Sequence, residues 1–535
     1  MKQVFLYDTT LRDGSQGEGI SFSVSDKLNI VRKLDRLGID YIEGGWPGSN
    51  PKDLEFFQKV KDLKLRNSKI TAFGSTRRAG LKAEDDPNLN AILNTGVRAA
   101  AIFGKTWDLH VQEALKVSLE ENLAMIDDSV AFLTKQGIEV IYDAEHFFDG
   151  YKANPDYALQ TLLAAQRAGA KWLTLCDTNG GTLPHEIVDI IRKITPYLHV
   201  PLGIHCHNDG DLAVANSIAA VQSGAVLMQG TINGLGERCG NDNLCSVIPN
   251  LQLKLGLKCL EEDRLRLLTE VSHYVSEIAN VVQPNNQPFV GQSAFAHKGG
   301  IHVSAVLKNP QTYEHMNPEL IGNKRRVLVS ELSGASNLEY KAKELGLAFL
   351  KDKAKMRQIV QEIKNLEYEG YQFEGAEASL ELLLRRAMDE YLPGFHLESF
   401  KVLVEKREGQ DMISEAMIKL RVGDQIVHTA ADGDGPVNAL DNALRKALEE
   451  FYPVIKEMHL TDYKVRVLDG KDATAAKVRV LIESKDATST WSTIGVSTNI
   501  IEASWHALVD SIEYFLYMNV TEEKGELTTK SSAVK

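Results

Sequence analysis

The sequence is short of the features that mark several protein classes, and each shortage removes a reading. Its 535 residues hold five cysteines, Cys176, Cys206, Cys239, Cys245 and Cys259, irregularly spaced and without a CxxC pair. That excludes a disulfide framework and leaves reduced thiols, most of them expected to be buried. No apolar run approaches the roughly 20 residues that span a bilayer, so no membrane partner is expected. The start, MKQVFLYD, reads as a strand directly after the initiator and lacks the apolar region of a signal peptide. A cytoplasmic protein is expected. Positive charge is also scarce, with a formal net charge of −13 at pH 7. Phosphate contacts need a basic surface, so no nucleic-acid partner is expected.

What is present is the composition of a globular protein, 43% hydrophobic and 25% charged. The chain is too long for one ordinary core, and two or three domains are expected. In the first half, short apolar segments alternate with helical patterns. The candidate strands are VFLY (4–7), DYIEGG (40–45), KITAFG (69–74), AAAIFG (99–104), EVIYDA (139–144), WLTLCD (172–177), LGIHCH (202–207) and VLMQGTI (226–232). Between them run amphipathic stretches such as DKLNIVRKLDRLG and YALQTLLAAQRAGA, whose glycines suit helix C-caps. Eight such units predict an α/β fold, a (β/α)8 TIM barrel over residues 1–275. A doubly wound sheet shares the local pattern, so the strand count decides between them.

From 276 to 370 the strand signal gives way to helical patterns, read as linker subdomains that contribute to the active site. They contain the glycine- and histidine-rich segment SAFAHKGGIHVSAVLKNPQTYEH. Residues 371–520 then carry a strand-strand-strand-helix order twice. ESFKVLVEK, AMIKLRVGD and QIVHTA precede GPVNALDNALRKALEEF, and YKVRVLDG, AAKVRVLIES and STWSTIGV precede NIIEASWHALVDSIEYFL. This predicts an α+β domain with an internal pseudo-repeat. Gly435, Asn438, Gly495 and Asn499, ahead of the two helices, suit either ligand or turn and cap positions. The polar tail 521–535 is expected to be disordered.

In a barrel the active site forms at the C-terminal ends of the strands. Polar residues collect at seven of the eight predicted ends: Arg12 and Asp13, Glu43, Arg77, Glu145 and His146, Asp177 to Asn179, His205 to Asp209, and Asn233 with GLGERCGN. His205 and His207 stand two apart on a strand and so face one way, with Cys206 facing the other. Two imidazoles with oxygens from Asp13 and Asn241 make a candidate site for a divalent metal, Mg, Mn or Zn. Cys239 is a competing ligand.

LRDGSQG, Glu43, HCHND, NGLGERCGN and GIHVSAVLKN together resemble the acyl-CoA-condensing enzymes that include the isopropylmalate, homocitrate and citramalate synthases. The resemblance covers nearly the whole chain, since the C-terminal repeat is similar to the regulatory domain of the isopropylmalate and citramalate synthases. DYIEGGWPGSNPKD is most similar to one branch of the citramalate synthases. The resemblance implies a Claisen-type condensation of acetyl-CoA with a 2-oxo acid on a metal-bearing barrel. It implies that Arg12 meets developing negative charge and that Thr178 binds the 2-oxo acid carboxylate, although Thr178 also suits a cap of the turn after strand six. Glu43 and Glu145 become candidates for holding the ligands or moving protons, and Gln16 for orienting substrate. It implies His302 with Tyr313 as the proton-abstracting pair, with His297 as competitor, reaching the site of a partner subunit in a homodimer. Tyr142 and Phe103 are candidate pocket walls that favour a small acid, so pyruvate is the expected substrate and isoleucine the expected effector. The alternatives are a 2-isopropylmalate synthase using 2-oxoisovalerate, a metal-dependent aldolase or lyase on the same barrel, and a non-catalytic amino-acid sensor.

Overall fold

The computed structural model describes residues 2–330, 333–347, 353–388, 391, 393–409, 411–468 and 475–532. Asp469 and Gly470 of the expected strand YKVRVLDG, and 533–535 of the expected tail, lie outside the described residues. The chain divides into two compact units, one formed by Met1–Phe295 with His315–Arg325 and the other by Ala296–Glu314 with Arg326–Lys535.

In the first unit the strands are Phe5–Asp8 (β1), Tyr41–Gly45 (β2), Lys69–Ser75 (β3), Ala99–Lys105 (β4), Glu139–Glu145 (β5), Trp172–Asp177 (β6), Leu202–Cys206 (β7) and Leu227–Gly230 (β8). All pair in parallel in sequence order, and β1 also pairs with β8, Tyr7 beside Gln229. That last pairing closes the ring and removes the doubly wound sheet. The helices between strands follow from local sequence. Val24–Leu37, for example, begins with Ser23 and Asp26 bonding each other's backbone N–H and ends at Gly38, whose φ of 101° favours glycine. Alternate strand residues feed two cores. Tyr7, Tyr41, Phe73, Ala101, Ile141 and Trp172 fill the barrel interior. Leu6, Ile42, Ala100, Ile102, Tyr142 and Leu175 pack outward with the helices. Helix Leu268–Ile278 lies within this unit.

The second unit opens with two short parallel strands, Ala296–His297 (β9) and Arg326–Val327 (β10), and the helix Gly300–Lys308. The helices Ala335–Glu344, Lys353–Glu369 and Glu377–Ala387 follow. The helical stretch expected at 276–370 is therefore shared between the units. Two antiparallel three-stranded sheets come next: His396–Glu405 (β11), Ile413–Val422 (β12) and Gln425–Gly433 (β13), then His459–Val467 (β14), Val478–Lys485 (β15) and Thr490–Ser497 (β16). Each is followed by a helix, Pro436–Leu448 and Ile500–Ser532, and residues of both sheets and both helices share one core. Asn499 acts as a cap, its side chain accepting from the Ile501 N–H at 2.9 Å, and Gly435 is the N-cap of Pro436–Leu448. The last helix carries into the tail expected to be disordered from 521. Among the described residues, no helix is long and apolar enough to cross a membrane. Four of the cysteines are buried and Cys239 is exposed.

Candidate active site

A cavity of about 230 Å³ opens at the C-terminal end of the barrel, and Arg12, Asp13, Gln16, Glu145, Thr178, His205 and His207 all line it. The loop after β1 supplies the first three. Arg12 extends inward, donates from Nε to Glu43 Oε1 at 2.5 Å and bonds Asp13 Oδ1 through Nη1. The two neighbours are thus an ion pair. The Arg12 guanidinium lies 3.8 Å over the Phe73 ring, and its Nη2 makes no bond to the described residues. Glu43, on β2, also accepts from the Tyr7 hydroxyl at 2.6 Å. Burial pushes the Glu43 carboxyl up, with Arg12 opposing. Burial pushes Asp13 the same way, but there Arg12 wins and holds the carboxyl below its usual range.

The other oxygen of Asp13 faces the histidines. Asp13 Oδ2 stands 3.6 Å from His205 Nε2 and 3.2 Å from Asn241 Nδ2, and the His205 and His207 ring centres are 5.2 Å apart. Burial lowers both imidazole pKa values, that of His207 to about 3, so both rings are neutral at pH 7 and carry a lone pair for a ligand. Among the described residues no three His, Cys, Asp or Glu side chains close up into a metal cage by themselves. The set here includes an amide. Asn241 Oδ1 and His207 Nδ1 are buried without a hydrogen-bond partner, and a side chain at Gly236 would collide with that Asn241 oxygen. Turning the Asn241 amide end for end brings Oδ1 to the point facing Asp13 and His205. Two neutral imidazoles, an ionised carboxylate and an orphaned amide oxygen fit a divalent ion. Cys239, the competing ligand, is exposed and lines a neighbouring cavity with Asn241 instead.

Thr178, beyond β6, accepts the backbone N–H of His146 at Oγ1, 2.9 Å away, which leaves its hydroxyl hydrogen to donate. His146 holds φ at 55°, and Asp149, which accepts from Asn179 at 3.0 Å, lies 3.2 Å from its ring. Arg238 ties Thr178 to the loop after β7, with Nη2 donating to the Thr178 carbonyl at 2.7 Å and Nε to Asp209 at 2.7 Å. Glu145 lines the cavity in an ion pair with Lys105.

Tyr142 requires correction as a pocket wall. It is fully buried in the outer core and its ring packs at Gly104. On a strand of period two its neighbour Asp143 takes the inward position instead. Phe103 does line the cavity, with Trp46 and Phe73, the three ring centres lying 5.5 to 5.8 Å apart. Trp46, Phe73 and Asp143 went unidentified in the sequence, although counting alternate residues back from each strand end would have found Asp143. His302 and Tyr313 belong to the second unit, where their rings stack at 4.2 Å with both side chains exposed. His297 faces Glu314 at 3.1 Å in the same unit.

Comparison with known proteins finds three family matches along the chain. The family described as HMGL-like matches residues 3–275, Homocitrate synthase post-HMGL domain-like matches 289–370, and the LeuA allosteric (dimerisation) domain matches 374–516. The (R)-citramalate synthase of Geobacter sulfurreducens is 57% identical over 518 residues, 97% of this chain and 98% of that protein. That of Aquifex aeolicus is 55% identical over 528 residues, covering 98% and 100%. A 2-isopropylmalate synthase of Methanocaldococcus jannaschii is 33% identical over 519 residues, covering 96% and 95%.

Proposed function

We propose a reaction from one premise: this chain belongs to the (R)-citramalate synthase family, on an HMGL-like barrel. It condenses the methyl carbon of acetyl-CoA with the ketone of pyruvate and releases citramalate and CoA. The observation that carries this reading is convergence. Arg12, Asp13, Thr178, His205 and His207, from the ends of β1, β6 and β7, line one small cavity, and Asn241, beyond β8, stands beside it within 3.2 Å of Asp13 and 3.3 Å of His205.

The 2-oxo acid lies with its carboxylate at the Thr178 hydroxyl and its ketone toward Asp13 and the histidines. A divalent ion held by Asp13, His205, His207 and Asn241 supplies Lewis acidity at that ketone. Arg12, braced by Glu43 and Asp13, keeps Nη2 for the negative oxygen that develops as the methyl group loses its proton. A histidine suits that proton abstraction near neutral pH, and we assign it to His302 with Tyr313. Both are exposed on the second unit, available to the site of a partner subunit in a homodimer. The new carbon bond turns the ketone oxygen into a hydroxyl once it gains a proton. Water then cleaves the thioester and the CoA thiol leaves. Glu145 and Gln16, at the rim, orient water and substrate.

Pyruvate is favoured over bulkier acids because Trp46, Phe73 and Phe103 form one continuous aromatic wall. Dimerisation has support in the apolar side chains exposed on the sheet β11–β13, among them Leu397, Leu403, Val404 and Ile426. Isoleucine feedback has support in a cavity of about 660 Å³ beside the helix Pro436–Leu448. There Asp441, Arg445 and Lys456 offer both signs of charge to a zwitterion.

The test is thiol release from acetyl-CoA with a panel of 2-oxo acids, repeated with isoleucine and with leucine added. Pyruvate should be the preferred acid and isoleucine the inhibitor. A strong preference for 2-oxoisovalerate would end the reading.

A further inference from the structure

Below the cavity, the barrel interior holds a buried chain of hydrogen bonds with a fixed polarity. Gln229 sits on β8 in register with His205 on β7, and its side-chain Oε1 lies 2.9 Å from His205 Nδ1. Its Nε2 turns across the interior and donates to Asp143 Oδ1 at 2.9 Å and Thr174 Oγ1 at 3.2 Å. Asp143 and Thr174 are themselves register neighbours on β5 and β6, and all three side chains are buried.

The two ends of the carboxamide are not interchangeable here. Burial and the charge of Glu43 push the Asp143 carboxyl up to about 7; above that pH it is ionised, accepts hydrogen bonds and donates none, and so requires the NH₂ end of Gln229. The oxygen end must then face His205, and a carbonyl oxygen accepts only, so His205 Nδ1 must carry the ring proton. The lone pair is left on Nε2, the nitrogen that faces Asp13 and Asn241. In the other tautomer Nε2 would carry hydrogen and bind no cation.

We propose that Asp143 is a positioning residue for the metal site, acting through Gln229 to fix the tautomer of His205; this rests on the metal reading above. Asp143 bonds Gln229 rather than the ligand nitrogen, and its effect is transmitted by the direction of two hydrogen bonds. Thr174, able to donate or accept, supports that direction without setting it.

The test uses the full chain stripped of metal with chelator, ¹⁵N-labelled at histidine, with His205 identified by its loss on substitution. Long-range ¹H–¹⁵N couplings report the tautomer, and calorimetric titration with Mn²⁺ reports the affinity. At a pH well above 7, where Asp143 is ionised, wild type should show a single Nδ1–H form. Asp143→Leu should show a mixture and bind Mn²⁺ about 10- to 100-fold more weakly, the usual cost of losing a group that orients a metal-bound histidine. Asp143→Asn keeps the shape and so protects against misfolding, but it adds a donor. It should give a smaller loss and a mixed tautomer. Variants that keep the single Nδ1–H form and wild-type Mn²⁺ affinity would overturn the inference alone. A wild-type chain that binds no Mn²⁺ would overturn the metal reading and this inference with it.

Discussion

Phe103→Ala should convert much of the selectivity between pyruvate and 2-oxoisovalerate into tolerance. Phe103 lines a cavity of about 230 Å³, which is below the usual range for sites that take larger ligands. Its ring lies 5.5 Å from Phe73 and 5.8 Å from Trp46, so removing it opens the wall at its centre. 2-Oxoisovalerate carries two more carbons than pyruvate, and each methylene in a fitted pocket is worth roughly 10- to 200-fold. Relieving even one of them lowers the ratio of kcat/KM for pyruvate over 2-oxoisovalerate by about 10- to 100-fold. The stability cost should fall short of the roughly 3–5 kcal/mol of a fully buried Phe→Ala, because Phe103 is only half-buried. The assay is thiol release with each acid, beside a urea melt. Tyr142→Ala is the control: its ring is fully buried in the outer core, so it should cost stability and leave the ratio alone. If the ratio stays put in a folded Phe103→Ala enzyme, or moves in Tyr142→Ala instead, the aromatic wall does not select the substrate.

Three further outcomes follow from the same geometry. Asp13→Ala should abolish thiol release and metal binding while the circular dichroism spectrum stays that of wild type; retained activity would remove Asp13 from the ligand set. Arg12→Lys replaces a planar fork by a point charge that cannot reach Glu43, Asp13 and substrate together, so kcat should fall on the order of 10²-fold at constant fold, and an unchanged kcat would contradict its role. Asp40 accepts the Leu6 N–H at 2.8 Å, and burial pushes its carboxyl from 3.8 up to about 6. Between those values the folded protein holds the proton more tightly than the unfolded chain, so stability falls as pH rises through that window, by at most roughly 3 kcal/mol. Asp40→Asn keeps the acceptor and should flatten urea midpoints between pH 4 and 6; an unaltered slope would show that the penalty lies elsewhere.

The barrel was legible because each strand is a short apolar run between turn residues, and the structure places all eight within a residue or two of the segments read from sequence. The polar strand ends were legible for the same reason, since a charged residue just past such a run has few places to go except the mouth. Phase was harder to read. Tyr142 and Asp143 differ by one residue, and a slip of one exchanges inside for outside. Trp46 and Phe73 read as ordinary apolar content, and only the closing of β2, β3 and β4 side by side makes them a wall. Gln229 carried no signal at all in isolation. Its meaning depends on Asp143 and Thr174, 86 and 55 residues earlier in the chain.

The seam where β8 meets β1 has a consequence for how activity arises. The Thr9 N–H donates to the Gly230 carbonyl at 2.8 Å, the Ile232 N–H to Thr10 Oγ1 at 2.9 Å, and the Asn241 amide to Asp13 at 3.2 Å. The last of these bonds joins residues 228 positions apart. Asp13 follows the first strand of the barrel, His205 lies on the seventh and Asn241 follows the eighth, so the ligand set exists only once the ring has shut. A nascent chain, or one frayed at its N-terminal strand, is therefore silent rather than partly active. Thiol release during refolding should begin no earlier than closure of the ring.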